Sequence, residues 1–156
     1  MIADKLDWSK IDNFGHNEWP EGALLSMNSN VILALAKIRA MLPSGAAMNP
    51  SPLFAGHVRF DSHGRHSADD RLSDATDVFI DWQYLWPALL AAQQVNEIGG
   101  IGIYLDTHYD SKELHPMIHL DCRPGRMMWI RFEDVYTYYH YEPIKFFRLL
   151  AEHGKV

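Results

Sequence analysis

The stretch Met117-Ile118-His119-Leu120-Asp121-Cys122-Arg123 decides how this chain folds. Apolar and polar residues alternate through it, the period of a β-strand with one face on a core and the other chemically occupied. Side chains two residues apart in a strand point the same way, so His119, Asp121 and Arg123 share a face. Leu120 and Cys122 point to the other side. A histidine, a carboxylate and an arginine in a row are costly to cover unless something pairs with them.

Towards the carboxyl terminus, Pro124-Gly125-Arg126 turns the chain and Met127 to Phe132 forms a further strand. Tyr136 to Tyr141 reads as an aromatic loop and Ile144 to Leu150 as a closing helix. Before the central stretch, Gly99 to Leu105 is a glycine-rich strand whose glycines imply close backbone approach or a bulge. Its spacing does not match a dinucleotide-binding loop. Ala75 to Ile80 is a buried strand carrying one acid, Asp77, and Asp81 is placed to cap a helix over residues 83–96 with Pro87 in its first turn. Leu53 to Phe60 has the content of a strand, and residues 43–52 that of a loop. Val31 to Leu42 carries apolar residues at 31, 32, 35, 38, 41 and 42, a helical stripe capped by Asn28 or Ser29 and stopped by Pro43-Ser44-Gly45. Residues 1–25 form a polar lead-in, and residues 26–150 the core of one domain spanning 1–156. This order predicts an α+β fold, a mostly antiparallel sheet covered by helices.

A chain of 156 residues, 47% hydrophobic and 22% charged, fills a real core, which excludes disorder and fibrous repeats. Fourteen Lys and Arg against twenty Asp and Glu give a net charge of −6, which argues against nucleic acid as a partner. No apolar run approaches the roughly 18–20 residues that span a bilayer, so membrane insertion is not expected. Met1 to Lys10 is polar and acidic, unlike a signal peptide, which predicts synthesis in a cytoplasm without a cleaved leader. A single cysteine, Cys122, excludes an internal disulfide.

Nine histidines are many for this length. Residues 61–71 form a polar, His-rich loop, the kind of segment where chemistry tends to sit. His66 from this loop, Asp77 from the following strand and His119 make a set suited to zinc. Three protein ligands would leave a fourth position for water, which the metal acidifies. The plainer alternative is a structural His119–Asp121 hydrogen bond. His16, His108, His140 and His153 read as ordinary side chains, and Cys122 as a core residue.

Three stretches in order resemble zinc-dependent peptidoglycan peptidases of the D-alanyl-D-alanine carboxypeptidase and L-alanyl-D-glutamate endopeptidase family. Arg65-His66-Ser67 followed by Ala75-Thr76-Asp77-Val78 is similar to that family's Ser-x-His…Ala-x-Asp motif. Ile98 to Tyr104 is similar to its Gly-Gly-Ile-Gly-x-Tyr strand, and Ile118 to Arg126 to its His-x-Asp-x-Arg segment. The resemblance covers residues 65–126 and implies a hedgehog/DD-peptidase-like fold with Zn2+ on His66, Asp77 and His119. It departs from the common pattern in spacing, since His66 and Asp77 are eleven apart where seven is usual, and Ser73 stands where a Gly is usual. A register on His63 and Asp70 keeps seven. The longer one is preferred, because Val78-Phe79-Ile80 gives Asp77 a buried strand.

The same resemblance implies a general base shortly before His119. Pro116 cannot serve, which leaves His115, or Asp121 acting as base or as the acceptor that orients a ligand histidine. Arg59 or Arg65 would bind a peptide carboxylate or steady an anionic transition state. Tyr104 is a further donor, and Tyr136 to Tyr141 is either a stacking lip or a packed aromatic lid. The implied function is a metallopeptidase cutting a stem or cross-bridge peptide of bacterial peptidoglycan, phage-encoded, acting on the wall after release or as part of a virion. The alternative on the same fold is a non-catalytic, zinc-stabilised wall-binding or structural subunit, in contact with other phage particle subunits.

Overall fold

Asn28 caps the first long helix, its side-chain oxygen accepting the N–H of Asn30 at 3.1 Å. The helix, α1 (Ser29–Ala40), buries Val31, Ile32, Ala34, Leu35 and Ile38 along one stripe. It ends two residues before the expected Leu42, with Met41 exposed. These features come from a computed structural model that describes residues 1–60, 63–69, 71–109 and 113–154. Among those residues the chain is one α+β domain with three α-helices and a six-stranded, mostly antiparallel sheet.

The strands are β1 (Met48–Pro50), β2 (Ala75–Ile80), β3 (Gly100–Tyr104), β4 (Met117–Asp121), β5 (Met127–Phe132) and β6 (Val135–Tyr138). Their order across the sheet is β1-β2-β4-β3-β5-β6, and only β3 and β5 run parallel. Two further helices, α2 (Leu85–Gln94) and α3 (Pro143–His153), complete the layer opposite the site. One hydrophobic cluster joins Val31, Leu35 and Ile38 of α1, Leu85 and Leu89 of α2 and Phe146 and Leu150 of α3. Val78, Ile80, Ile118, Leu120, Ile101, Ile103 and Ile130 of the sheet belong to the same cluster. Fully burying a side chain the size of Ile118 contributes about 2–3 kcal/mol. None of the helices among the described residues is long and apolar enough to cross a membrane.

Four expectations are corrected. Leu53 to Phe60 is not a strand: the N–H groups of Gly56, His57 and Val58 turn back onto Leu53 and Phe54, and Leu53 and Phe60 are exposed. The sheet edge is instead Met48–Pro50, in the expected loop, because Met48 is the residue that reaches the core. The Asp81 side chain makes no capping bond. Its carbonyl accepts the Tyr84 N–H and closes a 3-10 turn (Trp82–Tyr84) before α2. Tyr136 to Tyr138 is strand, not loop, joined to β5 by Glu133 and Asp134, whose φ values of 49° and 62° form the two-residue turn that matches hairpin twist.

The first 25 residues also depart from a mere lead-in. They fold as short 3-10 turns and put Ala3, Phe14, Trp19, Ala23 and Leu24 into the core. Aromatic and aliphatic residues spaced by turn formers carry no period, which hides such a segment in the sequence.

Candidate metal centre

The sheet register places the chemistry in one line. Asp77 of β2 is directly opposite His119 of β4, which is opposite Gly102 of β3, then Trp129 of β5 and Tyr138 of β6. Direct partners share a face, so all five look away from the helices. Asp121 lies one step along this face, opposite Ala75 and Gly100. His66 arrives from the loop, whose backbone is held against the preceding segment: Arg59 N–H donates to the His66 carbonyl at 2.7 Å and Ala68 N–H to the Arg59 carbonyl at 3.0 Å.

His66, Asp77 and His119 converge, each about 5% exposed. His66 Nε2 is 3.0 Å from His119 Nδ1, His119 Nδ1 is 2.9 Å from Asp77 Oδ1, and His66 Nε2 is 3.4 Å from that same oxygen. Two imidazole nitrogens and a carboxylate oxygen thus point at one centre. Burial would raise the Asp77 carboxyl, but the bonds from His119 and His66 hold it well below the usual carboxylate range. Burial would likewise lower His119, yet its bonds to Asp121 and Asp77 raise it to about 9. The donor set fits a cation: the three atoms could hold a metal ion, which would replace the proton that two facing imidazoles otherwise have to share.

A second layer fixes the His119 ring. Its Nε2 faces Asp121 Oδ2 at 3.0 Å, and Asp121, fully buried, also accepts from Arg123. The Arg123 backbone N–H reaches Asp121 Oδ1 at 3.0 Å, and Nε reaches both oxygens at 2.8 and 2.9 Å. Burial would raise the Asp121 carboxyl, but His119 and Arg123 hold it low. Glycine is required beneath this layer. A Cβ at Gly100 would collide with the Asp121 carboxylate, and one at Gly102 would lie 2.5 Å from the Trp129 indole. The close approach expected of these glycines is therefore to side chains that build the site.

The other expected residues divide. Arg59 stands at the rim, half exposed, Nη2 4.0 Å from Asp77 Oδ2 while Nε donates to the Ala55 carbonyl at 2.8 Å. Arg65 is turned away, paired with Asp74 at 2.9 Å. His115 is not drawn in: its ring lies edge-on to Tyr109, 6.4 Å between centroids, and four extended residues put it about 13 Å along the chain from His119. Tyr104 is near, with Arg123, Met127, Trp129, Tyr136 and Tyr138, around a cleft of about 120 Å³. Burial and the neighbouring Tyr136 push its phenol up. His63 is exposed, and Asp70, its partner in the alternative register, lies outside the described residues. Cys122 is half buried away from the site, its thiol pushed up to about 12 by burial.

One participant and one buried histidine behind the site escaped the sequence. Trp129 packs its ring 5.3 Å from His119 and walls the cleft, whereas in the sequence it stands among apolar neighbours, Met127, Met128 and Ile130, with nothing to mark it. His57 is wholly buried on the core side of β2, Nδ1 2.9 Å from Thr76 Oγ1 and Nε2 2.8 Å from the Ser51 carbonyl. Burial lowers it to about 4. The only available signal was its position among apolar residues.

The fold and the site together define a single-domain α+β protein with a buried candidate metal centre. No family model, curated protein or solved structure matches the chain.

Proposed function

We propose that the protein is a zinc-dependent peptidase of bacterial peptidoglycan, on a hedgehog/DD-peptidase-like fold, with His66, Asp77 and His119 as the zinc ligands. The observation that carries the reading is the buried convergence of those three side chains. Nitrogen-rich donor sets of this kind suit zinc better than magnesium or calcium. Ligand atoms about 2.0–2.1 Å from a tetrahedral zinc stand about 3.3 Å apart. The spacings of 2.9, 3.0 and 3.4 Å are close to that. When bound, zinc supplies Lewis acidity towards a carbonyl and a water acidified towards neutral pH.

The chain's own residues do the rest. Asp121 keeps the His119 ring turned with Nδ1 towards the centre, a positioning role that occupies both its oxygens. Arg59, half exposed at the rim with Nη2 4.0 Å from Asp77 Oδ2, is placed to receive a peptide carboxylate or the oxyanion of the addition step. Trp129, Tyr104, Tyr136 and Tyr138 offer an aromatic wall to the substrate on the far side of His119. The expected setting is a phage product that reaches the wall after release or within a particle.

A second reading, a zinc-stabilised wall-binding or particle subunit without turnover, draws on one observation. Asp121 is saturated and His115 is engaged elsewhere, so neither expected base is poised at the triad. The test is release of new amino groups from purified peptidoglycan by the zinc-loaded protein, alongside His66→Ala and His119→Ala. Release that disappears in both variants supports the peptidase. Wall binding with stoichiometric zinc and no release supports the second reading, and activity in metal-free protein contradicts both.

A further inference from the structure

We infer that Arg123 is a positioning residue for the metal centre, setting metal affinity through Asp121 and His119. The inference rests on the triad holding a metal and not on which bond the protein cuts.

Asp121 is fully buried in a sheet face, where a lone carboxylate would be strongly penalised. It is not alone. Arg123, two residues on, folds its guanidinium back so that Nε and Nη2 both reach the carboxylate, and its backbone N–H adds another bond. The guanidinium is itself fixed on two further sides, by the Trp129 ring at 5.0 Å and by Met127 Sδ at 3.3 Å from Nη1. Asp121 and two groups that line the cleft, Trp129 and Met127, therefore lock one arginine, and Gly100 leaves room beneath for the carboxylate it holds.

The consequence runs through hydrogen-bond logic. A carboxylate held by a guanidinium fork can only accept, so the group facing it at 3.0 Å, His119 Nε2, has to donate. With its proton kept on Nε2, the ring has only the Nδ1 proton to give up, and a metal at the centre shared with His66 and Asp77 would then meet the Nδ1 lone pair. Loss of the fork frees Asp121 to rotate, and the ring with it. Lysine offers charge without the two-pronged geometry, so it should restore only part of the effect.

The experiment measures zinc affinity by chelator competition for the wild type, Arg123→Lys and Arg123→Met, with thermal unfolding of each metal-free protein as a folding check. It adds long-range ¹H–¹⁵N NMR of the zinc-loaded wild type to read the His119 tautomer. The expected result is about ten- to a hundredfold weaker zinc binding in Arg123→Met, an intermediate value in Arg123→Lys, and a slowly exchanging proton on His119 Nε2. Equal affinities in all three folded proteins overturn the inference while leaving the metal centre standing. A proton on His119 Nδ1 in the loaded wild type overturns it even if the variants do not fold. A wild type that binds no zinc overturns the centre and the inference together.

Discussion

Asp121 accepts the Nε2–H of His119 at 3.0 Å from two residues along the same strand, while Asp77 meets the other ring nitrogen at 2.9 Å. An imidazole with a carboxylate on each nitrogen carries both protons when no metal is present, and must give up the one on Nδ1 to become a ligand. Metal binding should therefore release a proton at neutral pH. Because His119 is raised to about 9 by Asp121 and Asp77 against the effect of burial, apparent metal affinity should climb about tenfold per pH unit up to about pH 9 and then flatten. Calorimetry in buffers of different ionisation heat checks both. Affinity independent of pH between 6 and 8 contradicts the assignment of Nδ1 as ligand.

The same pair sets a stability signature in the metal-free protein. A group raised on folding stabilises fully below its unfolded pKa of about 6.5 and loses that contribution as pH rises through about 9. Removing the ring in His119→Ala leaves Asp77 and Asp121 facing each other across a buried gap, which should destabilise by about 3–5 kcal/mol in urea titrations. His66→Ala should cost less, since its Nδ1 has no hydrogen-bond partner among the described residues.

His57 acts in the opposite direction. Burial holds it near 4 where the unfolded chain titrates near 6.5, so it stabilises fully above pH 6.5 and loses that as pH falls to about 4. The change amounts to about 3 kcal/mol across this window. Urea midpoints measured between pH 4 and 7 should steepen for the wild type and flatten for His57→Gln. Asp77 and Asp121, held low, begin to lose their contributions as pH falls through the ordinary carboxylate value of 3.8 and go on losing them below it.

A glycine beneath the site and one in the exposed loop before His66 are predicted to be unequal. Gly102→Ala pushes a methyl group into the Trp129 indole and should cost about 1–3 kcal/mol, with a shift in tryptophan fluorescence. Gly64→Ala meets nothing within 4 Å among the described residues and should stay within about 0.5 kcal/mol of the wild type. Similar losses in both variants would contradict the packing described for Trp129.

What the sequence made legible follows from period. The alternation in Met117 to Arg123 gave β4 and its occupied face, and the apolar run around Asp77 gave β2 to the residue. The grouping of His66 with Asp77 was readable because Val78-Phe79-Ile80 gives Asp77 a buried strand, and that strand sets Asp77 opposite His119. The rest was hidden where tertiary packing overrides local pattern. Leu53 to Phe60 looks like a strand yet closes a tight turn that buries His57 and Val58, and the aromatic run after Asp134 became an edge strand because a two-residue turn happened to fit. Arg65 looked as available as Arg59, but Asp74, eight residues past His66, captures it.

The most direct measurement is an anomalous difference map at the zinc edge from crystals of the zinc-loaded protein. The account predicts one strong peak bonded by His66 Nε2, Asp77 Oδ1 and His119 Nδ1. A peak bound elsewhere, or no peak between these three atoms at full loading, would contradict it.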